Sequence, residues 1–219
     1  MSKKTLNLLL LAVCFMLVIS CSKDDSSVLG GAQSPIGTVG NTFDWNAGQF
    51  GINDASMRVT QLDGGVSTFE CSGTTSNSSY VDLLNMVPSE RFPGTFTVSG
   101  NTVTAKVNAV VTDNGVQVIF NDGSRLTLVN YGANVGDKYT ATVGGTTLQN
   151  EVISKSTEDD YLWMGGMYLK VIEVKYTSHS PGINYVVAIY NHKFGLVGLE
   201  VHFEDGSVKY AGCESANSQ

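Results

Sequence analysis

Polar and apolar side chains alternate with a two-residue period along most of this chain, and turn signals cut the alternation at short intervals. That pattern limits the fold more than any other feature. Thr102-Val103-Thr104-Ala105-Lys106-Val107-Asn108-Ala109 puts Val103, Ala105, Val107 and Ala109 on one face of a strand, with Lys106 and Asn108 on the other. Leu199-Glu200-Val201-His202-Phe203-Glu204 repeats the pattern. Strand-like runs also cover 57–62, 66–71, 94–98, 117–120, 125–129, 138–143, 147–154, 160–164, 167–176, 184–190 and 207–211. Between them stand Asp63-Gly64-Gly65, Gly100-Asn101, Asp113-Asn114-Gly115, Asn121-Asp122-Gly123, Gly144-Gly145, Gly165-Gly166 and Asp205-Gly206, which supply the positive φ that tight hairpins require. Short strands joined by hairpins predict an all-β fold: an antiparallel curved sheet, half-barrel or sandwich.

Two segments refine this. Tyr185-Val186-Val187-Ala188-Ile189-Tyr190 is apolar on both faces, so that strand is expected to be covered on both sides, by a second sheet or a helix. One short helix is expected over 79–87. Ser79 would be its N-cap, with Tyr80, Leu83, Leu84 and Val87 on one face and Pro88 after it; a further strand is the competing reading. Two motifs also recur in the same order. Val39-Gly40-Asn41-Thr42-Phe43 is echoed by Val135-Gly136-Asp137-Lys138-Tyr139, and Val118-Ile119-Phe120-Asn121-Asp122-Gly123-Ser124 by Val201-His202-Phe203-Glu204-Asp205-Gly206-Ser207. Either a β unit is duplicated, or a common hairpin sequence occurs twice.

The N-terminus reads as an address. A basic start, Lys3-Lys4, precedes the apolar run 6–19, which is too short for a comfortable membrane-spanning helix but suits a secretory signal. Val18-Ile19-Ser20-Cys21 resembles a bacterial lipobox, with an aliphatic residue three positions before the cysteine that takes the lipid. This resemblance implies removal of residues 1–20, acylation of Cys21 (palmitate among the chains), and anchorage rather than spanning. The mature chain then carries 11 basic against 20 acidic residues, a balance that argues against nucleic acid as a partner. Ser22-Lys23-Asp24-Asp25 resembles the acidic tag of surface-exposed lipoproteins of the Bacteroidetes, which implies the outer membrane and its outward face. Residues 21–38, rich in Ser, Gly and Asp, read as a flexible tether. Residues 39–219 read as a single β-rich domain, divisible into units at 39–131 and 135–213.

The segments Val135-Gly136-Asp137-Lys138-Tyr139, Gly166-Met167-Tyr168-Leu169-Lys170-Val171-Ile172 and Tyr190-Asn191-His192-Lys193-Phe194-Gly195-Leu196-Val197-Gly198-Leu199-Glu200 resemble a recurring portion of Bacteroidetes lipoproteins. They occur in half-barrel sheets similar to the periplasmic lipoprotein carriers of the LolA type. Gly94-Thr95-Phe96-Thr97-Val98-Ser99-Gly100-Asn101-Thr102-Val103-Thr104 is similar to the strand–turn–strand units of lipocalins. Both resemblances imply a curved sheet with an apolar concave face.

Motifs for chemistry are sparse. There is no phosphate-binding Gly-Lys-Ser/Thr loop, HExxH, CxxC or GxSxG elbow. His202 between Glu200 and Glu204, His192 beside Phe194-Gly195, and the acidic turn Glu158-Asp159-Asp160 are more simply surface or turn residues than metal ligands. Neither a metal nor another cofactor is expected. Cys71 and Cys213, left after Cys14 and Cys21 are set aside, are candidates for one disulfide in an oxidising compartment. Trp163 with Tyr161 and Tyr168, and Trp45, are candidate ligand-contacting aromatics. The expectation is a non-catalytic, lipid-anchored envelope protein that binds an apolar molecule or a glycan in its curved sheet. The alternative is a structural or accessory subunit that docks on another envelope protein.

Overall fold

A computed structural model describes residues 28–77, 92–156, 158, 161–163, 166–168, 170–177 and 182–216. The signal segment, Cys21, the expected helix over 79–87 and His179 lie outside the described residues. The first half contains β1 (Thr42–Asn46), β2 (Ile52–Asp63), β3 (Val66–Thr75), β4 (Gly94–Ser99), β5 (Thr102–Thr112), β6 (Gly115–Ile119) and β7 (Arg125–Asn130). The second contains β8 (Lys138–Val143), β9 (Thr146–Lys155), β10 (Tyr161–Trp163), β11 (Gly166–Tyr168), β12 (Val171–Thr177), β13 (Ile183–Asn191), β14 (Gly195–Phe203) and β15 (Val208–Ser215). Helical structure among the described residues is confined to the 3-10 turns Pro35–Gly37 and Gly48–Phe50. The fold is all-β, as the alternation predicts.

All the strands except β10 and β11 form one antiparallel sheet, in the order β7-β6-β5-β3-β2-β1-β15-β14-β13-β12-β9-β8. The remaining strand, β4, pairs β5 on the edge that β6 uses further along. Each half is thus a six-strand meander, β1-β2-β3-β5-β6-β7 and β8-β9-β12-β13-β14-β15, and the halves join where β1 pairs β15. The echoed motifs sit at equivalent places and make the same bonds. Phe120 N donates to Ser124 O and Phe203 N to Ser207 O, both at 2.9 Å, with Gly123 at φ 85° and Gly206 at φ 83°. Gly40 and Gly136, at φ 93° and 95°, donate to Val59 O and Val152 O.

The two ends of the sheet, β7 and β8, come together and nearly close a barrel. No ladder joins them; side chains bridge the seam instead. Asn150 Nδ2 donates to Thr127 O at 3.0 Å, the Tyr176 hydroxyl to Leu128 O at 3.1 Å, and Asn130 N to the Tyr139 hydroxyl at 3.3 Å. Lys155 Nζ, from β9, donates to Tyr131 O and Ala133 O in the link that follows β7. These bonds satisfy edge groups that an open strand would leave exposed.

Three expectations are corrected. The run 167–176 is two strands, β11 and β12, separated at Lys170, whose φ is 52°. The expected tether ends sooner than residue 38. Ser34 N donates to Val111 O, Thr112 Oγ1 to Gly30 O and Ala32 N to Asp113 Oδ1, so the segment from Leu29 onward is strapped along β5 and β6. It ends with Ile36 buried in the core, held by Ser67 Oγ and Asn41 Nδ2 donating to Gly37 O and Ile36 O. A Gly- and Ser-rich composition hid one apolar anchor. Finally, the Cys71–Cys213 bridge does not form. Cys71 is on β3 and Cys213 on β15, with β2 and β1 between them. At about 4.8 Å per strand that is roughly 14 Å, twice what a disulfide spans.

The doubly apolar strand is covered on both sides, as expected. Ala188 and Tyr190 of β13 face the barrel interior, while Ile189, on the outer face, is sealed by Val171, Val197 and Phe194. A local outer cluster does this rather than a second sheet.

Candidate functional site

The interior of the barrel is the candidate site. A closed eight-stranded barrel is filled by its own side chains, whereas a wider one leaves room. Twelve strands follow the barrel path here, and several inward positions carry small residues, among them Ala109 on β5 and Ala188 on β13. The result is a cavity of about 150 Å³. The first half contributes Phe43, Trp45, Met57, Phe69, Val107 and Val111 among others, and the second contributes Tyr176, Val186, Ala188, Tyr190, Leu196 and Leu199. Ile36 of the strap forms part of the wall and packs toward Gly195, where an added Cβ would lie 3.2 Å from its side chain. Among the described residues, no carboxylate, imidazole or cationic group belongs to the wall.

Its polar features are tyrosine hydroxyls on the seam side. The Tyr176 and Tyr190 oxygens are 2.7 Å apart, and both side chains are buried. Leu128 O can only accept, so the Tyr176 proton goes there and Tyr190 donates to Tyr176. Tyr139 is also buried, and its pKa is pushed up to about 12, chiefly by burial. Burial likewise drives Tyr131, Tyr176 and Tyr190 well above the ordinary phenol range, so all four are neutral at physiological pH. The Tyr131 hydroxyl is buried without a hydrogen-bond partner among the described residues.

Of the aromatic residues singled out in the sequence, Trp45 lines the cavity. Tyr161, Trp163 and Tyr168 lie on the β10–β11 hairpin, off the main sheet, where the backbone pairs Tyr161 with Tyr168 and Trp163 with Gly166. The sequence reading passed over the tyrosines of the interior and Ile36. The available signal was periodicity: Val186, Ala188 and Tyr190 share one face of their strand, but a run apolar on both faces does not say which side is the inside.

Outside the barrel, His202 bonds Glu200 across 3.3 Å and stacks on Tyr185 with ring centroids 4.2 Å apart, while Lys175 lies over the other partner of that stack, the Tyr185 ring. This is a polar layer on the outer face. Glu204 is an exposed turn residue, and no group of three or more His, Cys, Asp or Glu side chains among the described residues is placed to hold a metal ion. The His192 pKa is lowered, first by burial and then by Lys170 and Lys193.

No protein-family model matches the sequence, and no curated protein matches it. Among solved structures, the chain is similar to a candidate exported protein of YmcC-like fold from Bacteroides fragilis. The two are 11% identical over 84% of this chain and 96% of that one, with a TM-score of 0.40.

Proposed function

We propose that this is a lipid-anchored envelope protein, held in the outer membrane through Cys21, that binds a small apolar molecule inside its barrel and acts by binding rather than by catalysis. The observation that carries the reading is the apolar, partly open cavity of about 150 Å³ lined by both halves of the sheet. A cavity of that volume lined by aliphatic and aromatic groups suits an apolar ligand of about benzene's size. The wall chemistry disfavours a glycan, because sugar hydroxyls transferred into such a wall would lose hydrogen bonds to water without replacement. The lipid anchor rests on the lipobox-like segment, and the outward face on the acidic residues after it. The accessory-subunit alternative calls for a contiguous apolar surface. The large apolar residues exposed among those described are few, and two of them, Val135 and Ile153, lie on adjacent segments, since Gly136 N donates to Val152 O.

The test is a methyl-detected nuclear magnetic resonance titration with benzene. Saturable shifts confined to the methyl groups of Ala188, Val111 and Leu199 are expected. Shifts confined to the surface, or none at all, would overturn the assignment, as would binding of an oligosaccharide in place of benzene.

A further inference from the structure

Part of the cavity wall does not come from the sheet. Ile36 reaches it from the strap, on the 3-10 turn Pro35–Gly37. It does so at one end of the barrel: Gly37 packs on Val111 beside the β5–β6 turn, and Ile36 on Gly195 at the β13–β14 turn. The strap is held there by its main chain. Ser34 N donates to Val111 O at 3.0 Å, Asn41 Nδ2 to Ile36 O at 2.9 Å and Ser67 Oγ to Gly37 O at 2.7 Å, and Ser34, Asn41 and Ser67 are all buried. None of these bonds uses the Ile36 side chain. The second half contains the same turn. Gly37 N donates to Ser34 O and Asn41 N to Thr38 O; at the matching places Ala133 N donates to Asn130 O and Asp137 N to Asn134 O. The residue that matches Ile36 is Gly132, which is not a wall residue. The backbone therefore makes this turn without an apolar side chain at that position. Ile36 departs from the repeat, and the side chain it adds lines the cavity.

Resting on the binding reading above, we propose that Ile36 is the specificity-determining residue of the barrel: it stops the cavity at the strap end and so sets how long an apolar ligand is accepted there. Carbons removed from its side chain become carbons that the ligand can add. Close-packed interiors lose stability when truncation leaves a void, and an apolar group of the missing size recovers it. Ile36→Val removes one carbon and makes room for a methyl group on the ligand. Ile36→Ala removes three and makes room for a propyl group. Each methylene taken from water into that space tightens binding about fourfold.

The experiment measures dissociation constants for benzene, toluene and propylbenzene by calorimetry, on the full wild-type chain and on the variants Ile36→Val and Ile36→Ala. The readout is the affinity of each substituted ring relative to benzene, compared between variant and wild type; partition into lipid or detergent and any uniform change in the protein cancel. Toluene gains about fourfold on benzene in Ile36→Val, and propylbenzene gains up to about fiftyfold in Ile36→Ala. A merely structural role for Ile36 lowers the urea midpoint of both variants and leaves these ratios alone. Unchanged ratios therefore overturn the proposal while the binding reading stands. Should Ile36→Ala fail to fold, Ile36→Val, smaller by one carbon, decides alone. Loss of benzene and toluene binding in a folded Ile36→Val also overturns the proposal, because the side chain would then be holding the site together rather than limiting it. Failure of all three compounds to bind any of the three proteins overturns the proposal and the binding reading together.

Discussion

Filling the cavity from its own wall tests whether the space is real and whether it is the binding site. Ala188 is the position of choice. It lies mid-strand on β13, faces inward, is 2% exposed, and stands between Val174 of β12 and Leu199 of β14. Ala188→Leu adds three carbons. At about 0.8 kcal/mol per buried methylene they contribute about 2.4 kcal/mol. The empty space sets the ceiling: 150 Å³, at about 24 cal/mol per Å³, forfeits about 3.6 kcal/mol. Fixing the leucine rotamer costs about 0.5–1 kcal/mol, which leaves a net gain of about 2 kcal/mol. For a domain of this size that raises Tm by about 4–8 °C. Urea unfolding followed by the fluorescence of Trp45, itself in the wall, reports the change. The midpoint moves up while the slope with denaturant stays constant, and benzene binding is lost. A destabilisation of more than about 1 kcal/mol would show an already filled interior, as overpacking does. A stabilised variant that still binds benzene would place the ligand elsewhere.

Other consequences are as direct. Reductant is expected to leave the urea midpoint unchanged, with Cys71 and Cys213 both reacting as thiols after unfolding; a fall in midpoint on reduction would contradict the strand order. Gly94→Ala is expected to cost about 3 kcal/mol or more, because φ is 142° and the added Cβ would lie 1.9 Å from Lys106 O, whereas Gly100→Ala, with open space around it, costs about 1 kcal/mol. In alkali, the buried tyrosines keep their protons when folded and lose them near pH 10 when unfolded. Their stabilisation is therefore complete below about pH 10 and drains away toward the pH 12 region where Tyr139 itself ionises. Titration of tyrosinate absorbance against circular dichroism should show unfolding together with ionisation, and ionisation of all tyrosines in a still-folded protein would refute this. Glu70 is held below the usual carboxylate range by Arg58, then Lys106. Its contribution is present at neutral pH and fades as pH falls through its lowered pKa, so E70Q should flatten the acid limb slightly, and only at low salt.

Much of the fold was legible because a half-buried strand writes its period into the sequence. The alternation from Thr102 to Ala109 became β5, and 199–204 became the latter part of β14. β1 escaped notice: Thr42-Phe43-Asp44-Trp45-Asn46 is short and bracketed by small residues, although it is the strand that joins the two meanders. Closure was not legible either. It depends on Asn150, Tyr176 and Tyr139 reaching β7 across the seam, contacts between residues distant in sequence that no local pattern encodes. The same holds for the site. Trp45 was noticed as an aromatic residue, but Ala188 matters by what it lacks. The disulfide failed for a related reason: sequence counts cysteines, while sheet order sets the distance between them.

The strap along β5 and β6 also sets the length of a leash. Docking begins at Leu29, whose N–H donates to Gln117 Oε1 at 3.3 Å. With the lipid on Cys21, eight peptide steps separate anchor from barrel, a reach of at most about 27 Å at full extension. A ten-residue strand such as β9 is itself about 33 Å long. If Cys21 carries the proposed lipid, the barrel could not wander further from the bilayer than about its own height, and its interior would stay beside a reservoir in which small apolar molecules concentrate. Lengthening the leash by a few tens of residues would leave the fold and the cavity intact while removing that proximity, which separates what the barrel binds from where it collects it.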